Sequence, residues 1–214
     1  MKTFDLEKTD FALFTASPFI VISDSPYAVK NGYGLALVDT AIDGEVLENN
    51  FSKINTVCAH DLDTANKIVS FGFERGVVCF QFVYTGKNAP NLSGNLTIKQ
   101  LTENELDFVK KGYGGGEYAE RLVKQGKLYG GFNGEVPIGF IGLHDANTIG
   151  LLFVSPEHRK KGYAKELLSF MIAKQLSKGL TPLTQVVTDN LPSIALHESL
   201  GFKRLTTQTF WLKR

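Results

Sequence analysis

The 214-residue chain is 43% hydrophobic with a formal net charge of +1. That is apolar enough for one large or two small cored domains, and it offers no whole-chain basis for binding nucleic acid or a membrane surface. Cys58 and Cys79 lack metal-ligand spacing, which favours reduced thiols in a cytoplasmic compartment over a disulfide framework. The start is not a charged segment followed by a long apolar run, and no stretch has the length to span a bilayer. The Asn91-Leu-Ser and Asn95-Leu-Thr sequons are therefore read as accidental.

In the N-terminal part, Asp61 to Phe73 has helical spacing at Ala65, Ile68 and Val69, with Asp61 or Asp63 as cap. Val77 to Tyr84 is strand-like between Gly76 and Gly86. Gly86 to Gly94 is the best linker candidate, so the chain divides into an N-terminal α/β region, 1–90, and a second domain, 91–214. Further on, Asn95 to Gln100 alternates as a strand. Thr102-Glu-Asn-Glu105 forms a capping box that opens a helix. The run Gly112 to Gly116 is expected to break that helix, and Glu117 to Gln125 to form another. Because a helix precedes these glycines, a dinucleotide-binding reading of them fails. Leu128 to Phe132 and Ile138 to Leu143, joined at Asn133-Gly134, read as a β-hairpin, and Ile149 to Val154 as a buried strand.

That strand runs into Val154-Ser-Pro-Glu-His-Arg-Lys-Lys-Gly-Tyr-Ala164. Past it, Ala164, Leu167, Leu168, Met171, Ile172 and Leu176 recur at amphipathic-helix spacing. A strand turning directly into a helix aims partnerless N–H groups at the turn. Gly162 leaves room there, while Arg159, Lys160 and Lys161 add positive charge to the helix dipole. This combination suits a pyrophosphate. After a strand at 183–188, Asn190 or Ser193 can cap a short helix in which Pro192 is tolerated, and Gly201 suits a left-handed end before Phe202.

Two segments resemble motifs of the GNAT superfamily of acyl-CoA-dependent N-acyltransferases. Arg159-Lys-Lys-Gly162-Tyr-Ala164 is similar to motif A, Arg/Gln-x-x-Gly-x-Gly/Ala. Asn190 to Phe202 is similar to motif B, N-x-x-S-x-x-L-Tyr-E-x-L-G-F. The resemblance covers roughly the last 120 residues. It implies an α/β (α+β) fold with a mixed, mostly antiparallel sheet flanked by helices. Residues 1–90 are then either a degenerate GNAT-like lobe or an unrelated α/β cap. It also implies an N-acetyltransferase that takes acetyl-CoA as donor and an unidentified amine as acceptor, without a metal. Phe153, Val154, Arg159, Lys160, Lys161, Gly162, Tyr163, Ala164, Asn190 and Ser193 would bind CoA. Backbone amides around Val154 would orient the thioester.

Two departures from the family pattern bear on catalysis. Where members often carry a Tyr to protonate the leaving thiolate, this chain has His197; an imidazole can do the same work, and the alternative is a packing role. Tyr163 is a weaker alternative acid. The strand before motif A lacks the Glu that members often use as base, so His144 and Asp145 are the base candidates, acting directly or through water. Loss of the amine proton to bulk solvent is the alternative. Tyr113 and Tyr118 around the glycine run would face the acceptor. A non-catalytic acyl-CoA-binding regulatory module stays open as a second reading, as does a homodimer.

Overall fold

The computed structural model describes residues 20–24, 27–30 and 35–38 by their backbone, and residues 54–214 apart from 115 and 146. Most of the N-terminal region 1–53, and Gly115 of the glycine run, lie outside the described residues. The chain divides into two compact units: Met1–Phe82, Gln185–Ile194 and Arg204–Arg214 form one, and Val83–Thr184 with Ala195–Lys203 the other.

In the first unit, strands β1 (Ile20–Asp24), β2 (Tyr27–Lys30) and β3 (Leu35–Val38) pair antiparallel in succession. β3 then runs parallel to β4 (Thr56–Ala59), which pairs antiparallel with the end of β11 (Phe202–Lys213). Helix α1 (Leu62–Ser70) is capped by Asp61, whose carboxylate accepts from the Thr64 N–H at 2.8 Å. Its apolar face, Ala65 and Ile68, is fully buried with Ile54, Val57, Ala59, Phe73 and Leu212. Strand β5 spans Glu74–Tyr84.

The second unit is built on an antiparallel run of β6 (Thr97–Gln100), β7 (Leu128–Asn133), β8 (Val136–Leu143) and β9 (Ile149–Val154). β9 is joined in parallel by β10 (Leu183–Val187), with Thr184 opposite Ile149. This is the mixed, mostly antiparallel α/β architecture expected. The capping box forms: Thr102 accepts from Asn104 and the Glu105 carboxylate returns to the Thr102 N–H at 2.9 Å, on a 3-10 turn that leads into α2 (Leu106–Tyr113).

The glycine run breaks the helix two residues later than expected. Gly112 and Tyr113 stay helical, Gly114 caps the end at φ 71°, and α3 (Gly116–Lys124) follows. Tertiary packing explains the shift, because a β-carbon on Gly112 would lie 2.7 Å from the ring of Phe153 and 2.8 Å from that of Phe140. Without one, α2 settles onto β8 and β9 through a core of Leu101, Val109, Leu122, Phe140 and Leu151.

Helix α4 (Tyr163–Leu176) buries Leu167, Leu168, Met171 and Ile172 as its spacing implies. It also buries polar groups that spacing did not suggest. Glu166, 3% exposed, accepts from Ser93 Oγ at 2.5 Å and from the Leu96 N–H at 3.3 Å, and so fastens the segment before β6 to the first turn of α4. Gln175 donates to the Asn147 carbonyl at 2.8 Å. Helix α5 (Leu191–Ser199) precedes β11.

Candidate active site

Strand β9 is not regular. Phe153 lies opposite Phe140 and Gly150 opposite Gly142, so Leu151 and Leu152 together face Ile141 alone. This is a β-bulge, and Leu151 takes it up at φ 52°, a conformation that costs a branched side chain roughly 1–3 kcal/mol. An extra residue drops out of the ladder, so its backbone polar groups become available to something other than a neighbouring strand.

Past Val154 the chain makes a 3-10 turn, Pro156–His158. Arg159 then folds back so that its Nε donates to the Val154 carbonyl at 3.0 Å. Of the three motif-A cations, Arg159 thus ties the turn to the end of β9, while Lys160 and Lys161 are exposed. Lys160 at φ 60° and Gly162 at φ 83° both occupy the left-handed region. Gly162 is the N-cap of α4 and supplies no side-chain cap bond; the first helical bond runs from Glu166 N–H to its carbonyl at 3.1 Å. The amides before that bond have no intrahelical partner. A β-carbon on Gly162 would meet nothing within 4 Å. An open, cationic, uncapped helix start of this kind suits an anionic group such as a phosphate.

Tyr163 and Ala164 form the first residues of α4, and the Tyr163 ring lies edge-on to His158 with centroids 6.4 Å apart. Phe153 stacks on Phe140 at 5.1 Å. In the first unit, Asn190 proves to be the cap of α5, its Oδ1 accepting from the Ser193 N–H at 3.2 Å. His197 is 4% exposed, with its ring edge-on to Phe202 at 5.2 Å. Gly201 ends the helix at φ 93°.

His144 and Asp145, adjacent at the end of β8, have different surroundings. Asp145 accepts a two-pronged bond from Arg121, at 2.8 and 2.7 Å, and an ion pair from Lys127 at 3.3 Å. Burial works against its ionisation, but the Arg121 fork and the Lys127 charge outweigh it and hold the carboxyl below its ordinary range. His144 Nδ1 lies 2.8 Å from the Tyr118 hydroxyl, with the two rings stacked at 6.0 Å. Burial pushes the His144 pKa down to about 4, against a partly opposing pull from Asp145. Burial, then the Asp145 charge, raises that of Tyr118. The Tyr113 ring continues the row at 6.5 Å from Tyr118. On its other side His144 reaches β9: a β-carbon on Gly150 would be 2.2 Å from Nε2.

Tyr118, Arg121 and Lys127 are the groups that sequence reading did not connect to His144 and Asp145. A glycine inside an apolar strand signals a bulge or a close approach, and Gly150 stands next to both. Among the described residues, no three His, Cys, Asp or Glu side chains gather where they could hold a metal ion, and no helix is long and apolar enough to cross a membrane.

The acetyltransferase (GNAT) family model matches residues 100–202, a span that contains the bulged strand, the motif-A turn and motif B. Residues 100–202 are a GNAT-superfamily domain. Solved structures agree on the GNAT fold. A Drosophila protein superposes with a TM-score of 0.66 at 20% identity over 88% of this chain and 74% of its own. A GCN5-related N-acetyltransferase from Kribbella flavida gives 0.64 at 10% identity over 97% and 93%. A tandem GNAT protein from the clavulanic acid biosynthesis pathway gives 0.51 at 13% identity over 96% and 87%. No curated protein matches the sequence at a significant level.

Proposed function

We propose that the GNAT domain transfers an acetyl group from acetyl-CoA to a primary amine of a small molecule or peptide by direct attack. The observation that carries this reading is the motif-A turn, where Lys160 and Gly162 take left-handed angles and α4 starts without a side-chain cap. Residues Arg159 to Ala164 hold the pyrophosphate by backbone amides and charge. Phe153 and Val154 border the pantetheine arm, and the amides released by the bulge at Leu151 meet charge developing on the thioester oxygen.

In the reaction the amine lone pair forms a C–N bond to the acetyl carbon, the C–S bond breaks, and the thiolate takes a proton from His197. Binding both reactants lowers the barrier by proximity. We read residues 1–90 as an accompanying α/β lobe, a reading supported by the 96% coverage of this chain by a tandem GNAT protein. The non-catalytic acyl-CoA-binding module is favoured by two features: His197 in place of Tyr, and a β9 sequence without an ionisable side chain. Release of free thiol from acetyl-CoA with a panel of primary amines separates the two. Turnover supports the transferase, and binding without turnover supports the module. A chain that acetyl-CoA neither binds nor stabilises thermally refutes both.

A further inference from the structure

The bulged strand holds no base, yet the residue next to the bulge, Gly150, is the one against which His144 packs. The imidazole presents Nε2 to β9, and its Nδ1 is met from α3 by the Tyr118 hydroxyl at 2.8 Å. From the direction of their shifts, His144 is neutral and Tyr118 protonated at neutral pH, so the hydroxyl donates and Nδ1 accepts. The charged and titratable groups facing this pair are Tyr113 from α2, Arg121 from α3, Lys127 before β7, and Asp145 beside His144. Asp145 is occupied by Arg121 and Lys127, so it serves as a fixed charge beside the imidazole and leaves the proton to others. Tyr118 is half-buried, and Tyr113, next in the row, is 42% exposed.

We propose that Tyr118 is a catalytic residue on the acceptor side: its hydroxyl oxygen takes the proton of the attacking amine while its own proton passes to His144 Nδ1. This rests on the acyl-transfer reading. The balance is complete within the chain. The amine nitrogen loses one proton as it bonds to the acetyl carbon, Tyr118 stays neutral, and His144 becomes an imidazolium beside the Asp145 carboxylate. After the amide leaves, the proton returns to water by the same hydroxyl. The nitrogen becomes strongly acidic once bonded to the carbonyl carbon, so an imidazole of low basicity suffices.

The test uses the full chain, acetyl-CoA, and putrescine, glycine amide and a lysine-containing peptide as acceptors. Tyr118→Phe keeps the ring stack and is expected to lower kcat/KM for the amine about 100-fold with acetyl-CoA affinity unchanged. His144→Gln should match it, and the double variant should be no worse than either single one, as for two members of one unit. Added imidazole should raise the rate of Tyr118→Phe in proportion to its free-base concentration and leave the unmodified enzyme unaffected. A Tyr118→Phe enzyme of near-normal activity, additive losses, a wild type that binds acetyl-CoA but acetylates none of these amines, or a fall in acetyl-CoA affinity parallel to the fall in rate overturns the relay. A wild-type chain that fails to bind acetyl-CoA overturns the acyl-transfer reading first, and the relay with it.

Discussion

Gly112 and Phe153 are in contact only because one of them lacks a β-carbon: at 2.7 Å from the ring, a methyl group there would have to displace either α2 or β9. Helix propensity favours Ala over Gly by at most about 1 kcal/mol, the value for a helix interior, and Gly112 is in the last turn, so this effect opposes the first only weakly. Overpacking is the larger, at about 1–3 kcal/mol, because Phe153 is itself stacked on Phe140 and cannot retreat freely. Gly112→Ala should therefore lower the unfolding midpoint in urea at unchanged slope. A midpoint at or above the wild-type value would show that the contact is not close.

Gly162→Ala separates fold from ligand. An added methyl meets no protein atom within 4 Å, so the cost to folding is the left-handed angle of φ 83°, about 1 kcal/mol. The same methyl fills open space at the helix start, where the proposed pyrophosphate would sit. Isothermal titration should show acetyl-CoA affinity reduced tenfold or more with a thermal midpoint lowered by only a few degrees. Equal affinity would remove the pyrophosphate from this turn.

Arg159→Lys keeps the charge and removes the Nε–H that ties the turn to the Val154 carbonyl at 3.0 Å. An ammonium on a flexible stem does not reproduce that planar donor. Acetyl-CoA binding should weaken several-fold although net charge is the same. A variant with full affinity would mean that charge alone matters there.

The His144–Asp145 corner makes the fold acid-sensitive in a defined direction. His144 has a pKa of about 4 in the fold, against a reference of about 6.5, so the unfolded chain takes up a proton first. Stability from its neutral form is present above about 6.5 and is lost as pH falls toward about 4. Asp145, depressed by Arg121 and Lys127, adds a second loss below its unfolded value of about 3.9. Thermal midpoints of wild type should fall across both windows, and His144→Gln should abolish the upper one. An unchanged upper slope in that variant would remove His144 from the account.

His197→Phe tests the leaving-group proton. The ring is buried against Phe202, so an aromatic replacement keeps the packing. Steady-state kinetics should show kcat reduced about 100-fold with acetyl-CoA affinity retained. A fully active variant would leave the residue a packing role only.

Much of this protein was written locally in its sequence. The capping box at Thr102, the hairpin around Asn133-Gly134, the cap at Asn190 and the strand–turn–helix of motif A are each decided by residues within one turn or two of one another. Their signals lie in composition and spacing, which the chain carries whether folded or not. The bulge at Leu151, the helical Gly112, the buried Glu166 and the Tyr118–His144 pair are of another kind. Tyr118 and His144 are 26 residues apart and Ser93 and Glu166 are 73 apart. Their hydrogen bonds exist only after α2, α3 and α4 have packed on β8 and β9. Sequence alone thus determined the motif-A turn, because a helix start and a glycine create it from adjacent residues. The Tyr118–His144–Asp145 corner was decided by tertiary structure, because side-chain proximity and burial, which set proton affinity there, belong to the packed chain and to no segment of it.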